Sequence, residues 1–144
     1  MFKEFMINKF ILSLAIIIGG CLPVWCEITA VSPDKLNEML SQNPAPTVVD
    51  VRGGYDFQKG HIPGAINVGY NTIGKTDLPK DNMIVLYCGN DKCPLSHLAA
   101  KTLEPLGYTK LLVLEGGITA WMAKGFAIET AAGLQQKTAD IKIS

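Results

Sequence analysis

Met83 to Tyr87 is an unbroken apolar run, too short for a helix and ending directly on Cys88. A run of that kind reads as a strand buried on both faces of a sheet, whose last side chain emerges at the sheet edge. Beyond the loop Gly89-Asn90-Asp91-Lys92-Cys93, residues Leu95, Leu98, Ala99, Thr102, Leu103 and Leu106 recur at helical spacing, and Pro94 suits the first helical position. A strand, a tight loop and a helix start therefore converge on Cys88. Loop amides and the positive end of a helix dipole stabilise an anion, which lowers a thiol pKa and also holds an anionic substrate.

The rest of the chain alternates in the same way, which points to an α/β domain with a small, mostly parallel sheet flanked by helices. Strands are predicted at Ile28–Val31, Thr47–Val51, Ala65–Val68 and Leu111–Leu114, with a last edge strand over Phe126–Glu129. Ser32-Pro33-Asp34 caps a helix carrying Leu36, Met39 and Leu40 on one stripe, Tyr55–Gln58 reads as a helical turn, and Ile118–Lys124 as a helix stopped by Gly125. The stretch from Gly69 to Asp81 reads mostly as loop. Right-handed crossovers put the carboxyl ends of parallel strands along one edge, where α/β proteins place their ligands. Arg52, Cys88 and Glu115 each end a predicted strand and are expected at that mouth.

A chain of 144 residues holds one domain, and 48% apolar residues suffice for its core. The 13 basic and 13 acidic residues cancel, leaving no basic field for nucleic acid. Lys3 and Lys9 precede the apolar stretch Phe10 to Ile18, which has the length of a signal-peptide core and falls short of a comfortable membrane span. Residues 1–26 are therefore expected to be a signal peptide or lipoprotein leader, residues 27–130 the folded domain and residues 131–144 a loose tail. The mature protein is expected to be exported, periplasmic or envelope-associated. An uncleaved anchor helix is the rival reading, and Gly19, Gly20 and Pro23 interrupt it. Ile18-Gly19-Gly20-Cys21 resembles a lipoprotein box, which would place a lipid anchor at Cys21; cleavage after Cys26 or Ala30 instead leaves a soluble chain. Cleavage after Cys26 keeps only Cys88 and Cys93, avoiding an extra free thiol in an oxidising compartment.

The segments Val48-Val49-Asp50-Val51-Arg52, Asp56-Phe57, Gly60-His61-Ile62-Pro63-Gly64-Ala65-Ile66-Asn67, Leu86-Tyr87-Cys88, Leu106-Gly107-Tyr108 and Leu114-Glu115-Gly116-Gly117-Ile118 with Trp121 stand in one order. From Ile28 to Glu129 the sequence resembles a rhodanese-like domain. The resemblance implies a small α/β sulfurtransferase fold in which a loop cysteine, here Cys88, carries sulfur as a persulfide. It also implies a small sulfur-containing anion as donor, a thiol, cyanide or partner protein as acceptor, and no metal or organic cofactor. Gly89, Asn90, Asp91, Lys92 and Arg52 are the candidate substrate-binding residues. Arg52 paired with Asp50 serves equally well as a brace for the loop.

Cys93 departs from the family pattern of a single loop cysteine. With Pro94 as the first helical residue, Cys93 takes the cap position, where the helix end stabilises its thiolate and where it can resolve a persulfide or disulfide on Cys88. Two cysteines at this spacing lack the second ligand pair of a metal site, although His97 is close in sequence. Glu115 reads as a structural carboxylate bonding loop amides, His61 as a hydrogen-bonded turn histidine, Trp121 as core, and Ser96 and His97 as solvated first-turn residues. Two competing functions are an exported dithiol redox protein using Cys88 and Cys93, and a non-catalytic sulfur-carrier module. A phosphatase or arsenate reductase ranks last, because phosphate chemistry wants a loop arginine and this loop offers only Lys92.

Overall fold

In the computed structural model, which describes residues 28–132, five short strands form one parallel sheet. In chain order the elements are β1 (Thr29–Val31), α1 (Pro33–Leu40), β2 (Thr47–Asp50), α2 (Gly54–Lys59), β3 (Ile66–Asn67), β4 (Ile84–Tyr87), α3 (Leu95–Leu103), β5 (Leu111–Leu114) and α4 (Gly117–Ala123). The strands lie in the order β1-β5-β4-β2-β3. The leader expected over residues 1–26 and most of the expected tail lie outside the described residues. Among the described residues no helix is long and apolar enough to cross a membrane.

The continuous apolar runs of β2, β4 and β5 follow from burial on both faces. Val48, Val85, Tyr87 and Leu114 pack with Leu36 of α1 and with Ile118 and Trp121 of α4. Their neighbours in sequence, Val49, Ile84, Leu86 and Val113, point the other way and meet Ala99, Ala100 and Leu103 of α3. The start of α1 obeys its sequence: Ser32 accepts from the Lys35 amide at 3.2 Å, Pro33 opens the first turn, and Leu36 and Met39 are buried.

Two local expectations change and one is refined. Phe126–Glu129 forms no strand; it contributes a single antiparallel bridge between Glu129 and His61. The reason is that Phe126 packs on the Trp121 ring and Ala127 accepts the indole N–H at 2.8 Å, so this segment wraps the end of α4. The stretch after Gly69 contains a 3-10 turn, Ile73–Lys75, anchored by fully buried Ile73. Finally, α3 begins at Leu95, and Pro94 occupies its cap. The Leu98 amide bonds the Pro94 carbonyl at 3.0 Å, so Cys93 sits one residue ahead of the cap rather than on it.

The carboxyl ends align as parallel crossovers require. Asp50 pairs in register with Tyr87, and Leu86 with Val113, so Val51, Cys88 and Glu115 follow at one edge. The chain leaves β4 toward β5 and leaves β2 toward β3, in opposite directions, which makes the β4–β2 boundary a topological switch point. Two devices hold that edge. Asp50, fully buried, receives the Arg52 guanidinium on both carboxylate oxygens, with the shortest contact 2.6 Å, and Arg52 also donates to the Gly60 carbonyl at 2.8 Å. Gly117 enters α4 with φ +56°, and a Cβ there would lie 2.4 Å from the Cys88 carbonyl oxygen.

Both devices are testable by equilibrium urea unfolding. Asp50→Ala leaves the Arg52 charge without its partner at a largely buried site and is expected to cost about 3–5 kcal/mol. Gly117→Ala is expected to cost at least about 1–2 kcal/mol from the left-handed backbone alone, and more because the Cys88 carbonyl must move. A loss within error of zero for either variant would show that the edge does not depend on it.

Candidate functional site

Cys88 follows β4 directly, and the loop it opens is tied down at its start. The Cys88 carbonyl accepts from the Ile118 amide at 3.0 Å, and the Gly89 carbonyl accepts from the Thr119 amide at 3.1 Å and its hydroxyl at 2.8 Å. Within the loop the Asn90 side-chain oxygen accepts from the Lys92 amide at 3.0 Å, and the Asn90 carbonyl accepts from the Cys93 amide at 3.1 Å. This is an Asx-type turn that folds Cys93 back toward Cys88.

The two thiols are unalike. Cys88 is 1% exposed and its Sγ lies 3.0 Å from the Cys93 carbonyl oxygen, 3.6 Å from that of Asn90 and 3.5 Å from the Ser96 hydroxyl. Burial, and then the neighbouring Cys93 thiol, push Cys88 above the ordinary thiol range, while the Ser96 hydroxyl and amide work the other way. Cys93 is half-buried. Burial opposes its ionisation as well, but the Cys88 thiol, the Leu95 and Gly89 amides and the Arg52 charge together hold it below the ordinary range. The loop turns the Asn90 and Cys93 carbonyls toward Cys88 Sγ, and the two thiols shift in opposite directions, the one beside the cleft being held lower.

Beside the loop opens a cleft of about 210 Å³ lined by Asn90, Asp91, Cys93, Ser96, His97, Leu114, Glu115 and Gly116. Of the candidate substrate-binding residues, Asn90 and Asp91 face it. Gly89 uses its carbonyl to hold α4, and Lys92 is exposed and outside the lining. Arg52 contributes charge to Cys93 but spends its guanidinium on Asp50 and Gly60 and lies across the Tyr87 ring at 5.7 Å, so bracing is its main work. Glu115 reaches the mouth; its exposed carboxylate bonds no loop amide among the described residues, contrary to the structural reading of it.

Ser96 is the residue that sequence reasoning misplaced. It is 3% exposed rather than solvated, and it touches Cys88. Its spacing to Ala99, Ala100 and Leu103 puts it on the buried stripe of α3, and that was the available signal. His97, one position along, is exposed as expected. His61 is a buried turn histidine, with Nδ1 2.9 Å from the Phe57 carbonyl and its ring stacked on Phe57. Trp121 is core, 2% exposed. Among the described residues no cluster of three or more histidine, cysteine or acidic side chains could hold a metal ion.

The profile of the rhodanese-like domain family matches residues 32–124. The chain is 38% identical over 108 residues to the adenylyltransferase and sulfurtransferase uba4 of Ogataea parapolymorpha, an alignment covering 68% of this chain and only 27% of that protein. It is 33% identical over 93 residues to the thiosulfate sulfurtransferase GlpE of Shewanella oneidensis, covering 60% of this chain and 88% of the relative. The solved structure of the BH2092 protein from Bacillus halodurans superposes with a TM-score of 0.65 at 26% identity, covering 72% of this chain and 77% of that one. With its parallel sheet and a strand-end cysteine loop at the switch point, the chain belongs to the rhodanese-like domain family.

Proposed function

We propose that this chain is a rhodanese-type sulfurtransferase that accepts sulfane sulfur on the Cys88–Cys93 loop as a persulfide and passes it to a thiol or cyanide acceptor. The observation that carries this reading is the cysteine-opened loop at the carboxyl end of β4, with Cys88 at its root and Cys93 opening on a cleft. Relatives named sulfurtransferase support it. A loop thiolate attacks the outer sulfur of the donor, the donor's S–S bond breaks, and the leaving group departs with the electron pair. The bound persulfide then yields that sulfur to the acceptor and the thiolate returns. Sulfur, thiolate and amide dipoles suffice, so the reaction calls on no metal or organic cofactor.

The cleft narrows the donor. Among the described residues its lining carries two carboxylates, Asp91 and Glu115, and no lysine or arginine. A thiosulfate dianion meets like charge there, whereas a persulfide or polysulfide with an uncharged end does not. The Asn90 turn that folds Cys93 back toward Cys88 also favours a second reading, a dithiol–disulfide cycle, which likewise begins with attack by a loop thiolate.

Replacing both loop cysteines with serine is expected to abolish sulfur transfer to cyanide, measured as thiocyanate, with the far-ultraviolet circular dichroism unchanged. Thiocyanate production by the folded double variant at the wild-type rate would sink the proposal.

We further propose that the protein is exported through its basic, then apolar, start. The mass of the native N-terminus is expected to show residues before Gly19 to Cys26 removed, with or without lipid at Cys21. An intact Met1 in a cytosolic fraction would refute export.

A further inference from the structure

The cysteine loop is fastened at its root and shaped beyond it by one side chain. Cys88 and Gly89 give their carbonyls to the amides of Ile118 and Thr119 on α4, at 3.0 and 3.1 Å. From Asn90 to Cys93, by contrast, the backbone bonds, among the described residues, only within the loop and to Cys88 Sγ. The Lys92 amide donates to the Asn90 side-chain oxygen at 3.0 Å, and the Cys93 amide to the Asn90 carbonyl at 3.1 Å. Asn90 therefore consumes both amides of the outer half of the loop.

That outer half covers Cys88. The thiol is 1% exposed, takes no part in the lining of the cleft, and donates to the Cys93 carbonyl oxygen at 3.0 Å, with the Asn90 carbonyl oxygen at 3.6 Å. A carbonyl oxygen accepts from a thiol and repels a thiolate, so this loop position both screens the sulfur from a donor and opposes its ionisation. The covering carbonyl belongs to the Cys93–Pro94 peptide, and proline has no N–H. That peptide can cover the sulfur but never donate to it; the nearby loop amides that could donate are the two that Asn90 holds. The cleft of about 210 Å³ alongside, lined in part by Asn90, Asp91 and Cys93, gives the segment room to turn while its root stays bonded to α4. At Gly89 a Cβ would meet nothing within 4 Å, so the chain also has space to pivot.

We propose that Asn90 is a positioning residue that latches the loop over Cys88, and that sulfur loads onto Cys88 from a second loop position in which the Asn90 turn has opened and the Cys93 carbonyl has swung off the sulfur toward the cleft. This rests on the sulfurtransferase reading and places a conformational step ahead of its chemistry, with Cys88 as the first sulfur acceptor. The step breaks hydrogen bonds and no covalent bond. The Cys88 thiol loses the carbonyl that held its proton, and the proton passes to water in the cleft. The Lys92 and Cys93 amides, released by Asn90, become donors to the charge left on the sulfur. The Ser96 hydroxyl, 3.5 Å from Cys88 Sγ, belongs to α3 and stays beside the sulfur in either loop position.

The test uses the full chain, reduced, as wild type, Asn90→Ala and Asn90→Asp. The alanine variant removes the oxygen that holds the Lys92 amide, and the aspartate variant keeps one there. Each protein is treated with limiting iodoacetamide over a range of pH, and the two cysteines are read separately by peptide mass. Cys88 in Asn90→Ala is expected to react about fivefold faster than in wild type, the effect of losing one ordinary hydrogen bond from the closed loop, with its reactivity rising from a lower pH. Asn90→Asp is expected to restore the wild-type rate and pH profile of Cys88 to within about twofold. Cys93 already lines the cleft, so its rate is expected to change less than about twofold, whereas a merely loosened fold would expose both cysteines together. Loading of sulfur onto Cys88 from a low-molecular-weight persulfide, read by mass, is expected to be faster in Asn90→Ala.

A readout independent of any variant is amide hydrogen exchange of wild type, in which the Lys92 and Cys93 amides are expected to exchange ahead of those of Ile118 and Thr119, because the latch opens while the root holds. Equal alkylation of Cys88 in wild type and Asn90→Ala, or equal protection of all four amides, would overturn the latch whether or not sulfur is transferred. Loading that slows in Asn90→Ala while alkylation of Cys88 rises would overturn the claim that the uncovered position is the one that loads. Absence of sulfur loading in all three proteins, beside the expected alkylation pattern, would overturn the sulfurtransferase reading and leave the opening of the loop standing.

Discussion

A trans peptide is flat, and its carbonyl and N–H point in opposite directions. That constraint governs the site. The peptide joining Cys88 to Gly89 turns its carbonyl to the Ile118 amide, so its N–H, on Gly89, is directed the other way, away from α4. That hydrogen bond to the start of α4 therefore sets which way the first peptide of the loop faces. It exists only because Gly117 has no side chain: at 2.4 Å a Cβ would occupy the place of the Cys88 carbonyl. The glycine is thus a residue of the site without touching either sulfur.

The rest of the edge keeps that peptide where it is. Tyr87 precedes Cys88, accepts the Ile62 amide on its hydroxyl at 3.2 Å, and lies under the Arg52 guanidinium that Asp50 pins. A buried carboxylate without a cation is far costlier than a satisfied pair, so Asp50 and Arg52 come as a unit. Together they fix β2 and β4 relative to α2, through Gly60, at the switch point. Loop amides are useful to a thiolate only if they are aimed beforehand, and this scaffold does the aiming.

Much of this was legible in the sequence. Apolar runs with no alternation require helices on both faces, and the order of strand and helix signals then leaves few topologies. Cys88 at a strand end, with Arg52 and Glu115 at neighbouring strand ends, followed from that. What could not be read was peptide orientation within Gly89 to Lys92, because periodicity says nothing about which way a loop carbonyl turns. The position of α3 slipped by one residue for a related reason: Pro94 has helical dihedrals yet serves as the cap, and sequence does not separate the two roles. Ser96 was a failure of a different kind. Its place on the buried stripe was visible, but a serine in a first turn resembles a solvated polar residue until a cysteine is found opposite it.

Charge at the mouth is the remaining step. Arg52 lends positive potential to Cys93, but with both oxygens of Asp50 on its guanidinium little of that field extends into the cleft, whose lining includes the carboxylates of Asp91 and Glu115. A site arranged this way does not gather anions from solution. On the proposed reading it therefore selects its donor by the electrophilicity and reach of a sulfur atom rather than by charge. In the resting loop Cys88 gives its proton to the Cys93 carbonyl at 3.0 Å, an oxygen that would repel the thiolate, so the loop has to turn that carbonyl aside before Cys88 can attack a donor.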